Sequence, residues 1–207
     1  IFVGTFTVPD RKGSDMELTY HESKDAGGSA VNYFDTATIA SNSGSVSLDR
    51  SVYPVPFTSG DLRKGDNSQS GQTEAGSVVA WITVTDVDYT GDTLTTTTSG
   101  KAGSILVKLI EGSDTTTIAT AGSATSNDAS GSTVEELGPL SEVEMGTSVY
   151  EVSMTIQNTQ DGGASNVTPT SGDILQVEYV DTANDAGGTS TSYDSSTFDL
   201  RTGSLSV

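Results

Sequence analysis

The chain carries its ending twice. Towards the C-terminal end VYEVSMTIQN is followed by SGDILQVEYVDTANDAGGTSTSYDSSTFDLRTGSLSV; towards the start IFVGTFTVPD is followed by GSDMELTYHESKDAGGSAVNYFDTATIASNSGSVSL. Asp25–Gly28 returns as Asp185–Gly188, Tyr33 as Tyr193, and Gly44-Ser45 as Gly203-Ser204. Small length changes between such anchors fall where loops absorb them. A repeat of roughly 150–160 residues is too long for a solenoid unit, whose period is about 20–50, and suits a whole domain. The expected organisation is the C-terminal strands of one repeat in 1–43, a complete repeat in 44–202 and the start of the next in 203–207. Starting on Ile1 and stopping on Val207 in mid-pattern, the chain reads as a piece of a longer array.

Within the repeat the apolar residues alternate. Residues 1–8, 16–21 and 31–39 read as strands of the preceding repeat, and Ser45–Tyr53 opens the complete one. Pro54 and Pro56, two apart, suit an edge or extended segment, because proline has no N–H for a ladder. Val78–Val84 (VVAWITV) reads as a central buried strand, with Trp81 in the core. Strands are also expected over Thr93–Thr98, Ile105–Ile110, Thr116–Ala119, Val149–Ile156, Ile174–Tyr179 and Tyr193–Leu200. Val134–Met145 reads as irregular, anchored by Leu137 and Leu140. Short strands, turn signals between them and no helical period define an all-β chain of immunoglobulin-like antiparallel β-sandwich type, in tandem domains.

Charge and cysteine content narrow the function classes. The net charge is −19, and between Lys108 and Arg201 there are fifteen Asp and Glu but no Lys or Arg. Nucleic acid and anionic lipid both demand the opposite sign. A field of one sign keeps copies apart and concentrates cations. No run approaches the roughly 20 apolar residues that span a membrane as a helix. With no cysteine, disulfides and thiolate chemistry are excluded.

The best candidate for chemistry is Asp86-Val87-Asp88-Tyr89-Thr90-Gly91-Asp92. Calcium takes six to eight oxygens, and carboxylates at alternate positions followed by a hydroxyl and a turn glycine offer them. Asp86, Asp88, Thr90 and Asp92 are the expected ligands; Thr97 stands where an EF-hand has its bidentate Glu, so a helix-flanked EF-hand is not expected. The alternative is an acidic hairpin loop turned by Gly91. A second acidic loop, Asp181–Gly188, adds Asp181 and Asp185 as ligands, or is a solvated turn. Asn166-Val167-Thr168 is an N-glycosylation sequon. No catalytic constellation emerges: His21 is the only histidine, Gly100-Lys101 lacks the rest of a phosphate loop, and no Gly-x-Ser-x-Gly elbow is present.

SGSVSLDRSVYPVPF, ELGPLSEVE, SGDILQVEYVD and STFDLRTGSLSV, taken together and in this order, resemble the surface-layer (S-layer) proteins of ammonia-oxidising archaea. The resemblance covers most of the chain at intervals. It implies tandem immunoglobulin-like β-domains in an extracellular, porous, cell-surface lattice of like copies. It also implies bound calcium or another divalent cation, with acidic pores that enrich ammonium. The acidic segment after VVAWITV matches the family's pattern, although Thr and Gly stand where more acidic copies carry Asp or Asn. Two rivals remain: a fibre or pilus subunit completed by strand exchange, and an adhesin or carbohydrate-binding module, which calls for an exposed aromatic platform.

Overall fold

A strand that alternates apolar and polar residues has one face for a core and one for water. In a computed structural model of the chain, residues 3–5, 15–39, 42–56, 76–89, 91–95, 105–127, 134–163 and 165–199 are described. They hold strands and no helix. Two antiparallel strands come first, β1 (Asp15–Glu22) and β2 (Val31–Thr38). Next are β3 (Ser45–Leu48), β4 (Val52–Pro54), β5 (Val78–Thr85), β6 (Thr93–Leu94), β7 (Ile105–Glu111) and β8 (Asp114–Ala121). The rest are β9 (Glu135–Glu136), β10 (Leu140–Glu142), β11 (Val149–Ile156), β12 (Gln160–Asp161), β13 (Asn166–Val167), β14 (Ile174–Asp181) and β15 (Ser190–Asp199).

From β3 onward the chain forms two sheets, ordered β3-β5-β11-β10-β6 and β4-β15-β14-β7-β8-β9. The two sheets pack face to face as a β-sandwich, with β4 beside β15. Inward residues of both sheets form one core, including Ile82, Val84, Leu109, Tyr150, Val177 and Phe198. Each such side chain contributes about 1.5–3 kcal/mol on burial. The pairing is antiparallel except at β4–β15 and β8–β9, which are parallel. β4 is an outermost strand, as Pro54 requires.

The step from one sheet to the other, between β3 and β4, is pinned by Asp49. Its carboxylate accepts the Trp81 N–H at 2.9 Å and the Tyr53 hydroxyl at 2.5 Å. Burial works against its charge, but these two donors and the Arg50 guanidinium hold its pKa below the ordinary carboxylate value.

Three expectations are corrected. Trp81 lies on the outer face of β5, 45% exposed, while Ala80 and Ile82 face the core. One face of this sheet meets water, so only one parity of the apolar run is buried. The 134–145 segment is not wholly irregular: β9 and β10 lie in it, and Leu140 is buried. Of the strand expected over 1–8, residues 3–5 carry no strand and the others lie outside the described residues, as do Thr96–Thr98 and 203–207.

The β1–β2 and β14–β15 pairs share backbone geometry, in a register shifted by one residue from the matched letters. β1 and β14 are both eight residues long, and each leads to its partner strand through an eight-residue connection. The loop after β1 is built on Asp25, whose carboxylate accepts the N–H groups of Gly27 and Ser29 at 2.8 and 2.9 Å. The loop after β14 is built on Asn184, whose amide oxygen accepts those of Ala186 and Gly188 at 3.0 and 2.8 Å. Gly28 and Gly187 hold the same positive φ, 83° and 74°. Asp25 therefore corresponds to Asn184, not Asp185, and Tyr20 to Tyr179. The spacing is constant at 159, the same as from Gly44 to Gly203.

Candidate functional site

Burying carboxylates is costly unless donors meet them. Four of the acidic residues expected as cation ligands come together at one end of the sandwich: Asp86 after β5, Asp88 in the next turn, Asp181 closing β14 and Asp185 in the following loop. Asp86 and Asp181 are each 1% exposed.

What they meet is the chain's own N–H and O–H groups. Asp86 Oδ2 accepts the Tyr179 hydroxyl at 2.6 Å, and Oδ1 accepts the Asp88 N–H at 2.9 Å. Asp181 Oδ2 accepts the Gly44 N–H and Oδ1 the Ala183 N–H, both at 2.8 Å. Asp88 takes the backbone N–H of Asn42 at 2.9 Å and its side-chain amide at 3.2 Å. Asp185 accepts the Ser43 hydroxyl at 3.0 Å. Three successive residues, 42–44, are thus held by three separate carboxylates just before β3 begins.

Asp86 caps its own turn, and the Tyr89 N–H returns to the Asp86 carbonyl at 3.2 Å. Tyr89 then turns into the core, edge-on to Tyr150 at 5.4 Å between ring centroids. Its carbonyl accepts the Tyr150 hydroxyl at 3.2 Å. Asp92 is exposed, and its carbonyl is bonded to the Glu142 N–H instead. Thr90 lies outside the described residues. Among the described residues no group of three or more carboxylates or histidines is arranged to hold a metal ion. Both oxygens of Asp86, Asp88 and Asp181 accept hydrogen bonds from the chain itself.

Burial pushes the Asp86 carboxyl above the ordinary carboxylate range, and the neighbouring Asp181 and Asp88 charges add to this. The Tyr179 hydroxyl and the Asp88 N–H oppose it. Burial and the bond to Asp86 hold the Tyr179 hydroxyl protonated far above the ordinary tyrosine value. Tyr179 is therefore always the donor. Asp86 follows β5 in one sheet and Tyr179 lies on β14 in the other. Here a hydrogen bond joins the two sheets.

Asn42, Ser43 and Tyr179 are members of this cluster that carboxylate spacing does not reveal. The repeated Gly44-Ser45 dipeptide is the one signal of it in the sequence. Asn166 is exposed on β13, paired with Asp161. His21 Nδ1 lies 2.6 Å from Asn32 Oδ1 across β1 and β2, on an exposed surface. No helix among the described residues is long and apolar enough to cross a membrane.

Fold and site together define an all-β, cysteine-free, acidic sandwich with a duplicated strand pair and a carboxylate clasp on the segment that leads into it. No protein-family model matches the chain, and no curated protein matches it.

Proposed function

We propose that the chain is a structural, non-enzymatic part of an acidic, extracellular S-layer lattice assembled from copies of itself. The observation that carries this reading is the clasp on residues 42–44. A carboxylate cluster spent on fixing the entry to a repeat favours an array of fixed geometry over a catalytic centre. The net charge of −19 supplies the rest. It lines pores that admit cations, ammonium among them, and repels anions. Divalent cations, calcium first, act between copies by relieving carboxylate repulsion. The exposed Asn166 is the site for an attached glycan.

Light scattering during a calcium titration tests this. Calcium at millimolar concentration should drive reversible association into sheets visible by electron microscopy, and a chelator should disperse them. If neither calcium nor magnesium changes the particle size, the lattice reading fails.

A second reading, a carbohydrate-binding or adhesin module, is favoured by one observation. Trp81 stands exposed beside a shallow hollow of about 350 Å³ bordered by Glu142, Glu151 and Ser153. An aromatic face with acceptor oxygens around it suits a sugar ring. Trp81 is the only tryptophan, so its fluorescence reports directly on the hollow. Under the lattice reading, soluble polysaccharides leave this emission unchanged. A saturable shift, lost in Trp81→Ala, would favour the module. That variant should cost less than about 1 kcal/mol of stability, as expected for a surface position.

A further inference from the structure

The strand pair β1–β2 repeats β14–β15 in length, connection and loop hydrogen bonds, so the second pair shows what the first is shaped to meet. On β14, Leu175, Val177 and Tyr179 point into the sandwich and are fully buried. Their counterparts at the constant spacing are Met16, Leu18 and Tyr20. Leu18 and Tyr20 are 64% and 59% exposed. Across the pair Tyr20 faces Tyr33, their rings stacked at 6.3 Å, and Met16 faces Ala37. A hollow of about 390 Å³ opens beside Met16, Leu18 and Ala37.

The polar positions on this face correspond as well. In the complete sandwich Asp194 on β15 points inward and accepts the Leu48 N–H of β3 at 2.7 Å. Asp35 occupies the same place on β2 and faces Leu18. Tyr179 gives its hydroxyl to Asp86; the Tyr20 hydroxyl, without such a carboxylate from a facing sheet, reaches Glu22 at 3.1 Å.

We propose that this face of β1–β2 is a docking surface for a β-sheet of the β3-β5-β11-β10 kind, supplied from outside residues 1–207. The partner sheet presents apolar residues to Met16, Leu18 and Tyr33. It brings a carboxylate in the place of Asp86 to the Tyr20 hydroxyl, and an outer strand with a free N–H to Asp35. The chain's own such sheet is already covered by β14–β15, and so is that of any second folded copy. A separate sheet is therefore the occupant.

The test joins an extra copy of residues 44–173 to Asp15 of the chain, a seam that keeps the repeat spacing. A control fusion carries residues 174–197 in place of 15–38, restoring a strand pair that already folds with this sheet. Amide hydrogen exchange over β1 and β2 should slow by at least about 100-fold in the fusion relative to the 207-residue chain. Tyr20→Phe should reverse part of that protection in the fusion and change nothing in the unextended chain. Unprotected β1–β2 amides beside a protected control overturn the proposal. A dimer of the unextended chain that Leu18→Glu dissociates also overturns it, since the face then belongs to a second copy.

Discussion

Replacing Tyr179 by Phe should lower stability by about 2–3 kcal/mol, the cost of leaving a buried carboxylate short of a donor. In a chain of this size that is a drop of roughly 5–10 °C in melting temperature. The ring still fills its place in the core, so the loss is the hydroxyl alone. pH separates this cause from a packing defect. The Asp86 carboxyl is raised in the fold, so the folded chain binds its proton at a higher pH than the unfolded chain does. Asp86 therefore favours the fold fully below the unfolded carboxylate value, and that contribution is lost as pH rises through the raised value. Without the Tyr179 hydroxyl the carboxyl rises further. The difference between variant and parent should be largest at neutral pH and shrink as pH falls into the carboxylate range. A difference that does not change with pH would mean that the hydroxyl matters for packing only.

Gly44→Ala should destabilise by about 1–3 kcal/mol through overpacking. A Cβ at Gly44 would sit 2.6 Å from Tyr179 Cε1 and 3.4 Å from Asp86 Oδ2. That ring is enclosed, and the Gly44 N–H is bonded to Asp181, so neither side yields cheaply. Coupling identifies the clash. In a Tyr179→Leu background, where Cε1 is gone, the penalty of Gly44→Ala should largely vanish, as a double-mutant cycle by chemical denaturation would show. Additive penalties would place the cost in the backbone instead.

The sequence made the strands legible because period two is a backbone property: β5, β11 and β14 fall where alternation places them. Which parity faces inward is not written in a run such as VVAWITV, where both are apolar. Trp81 was therefore expected inside and lies outside. The acidic cluster was legible as a set of residues, but the donors that meet it were not. Spacing along the chain says where the carboxylates are; it does not say that Asn42, Ser43 and Gly44 deliver hydrogen-bond donors to Asp88, Asp185 and Asp181. The repeated Asp-Ala-Gly-Gly letters misplaced the alignment by one. The fold preserves an acceptor side chain at the loop's start and a glycine at positive φ, and Asp25 and Asn184 serve the first role equally.

The outermost strands carry a consequence for how copies can meet. In the two sandwich sheets the strands at the ends of the order are short among the described residues: β3 has 4, β4 has 3, and β6 and β9 have 2 each. Each is a poor template for a strand from another molecule. β1 and β2 differ, with eight residues each and an open edge on either side of their two-stranded sheet. A strand arriving from another chain would meet its longest run of unpaired backbone there and not on the sandwich.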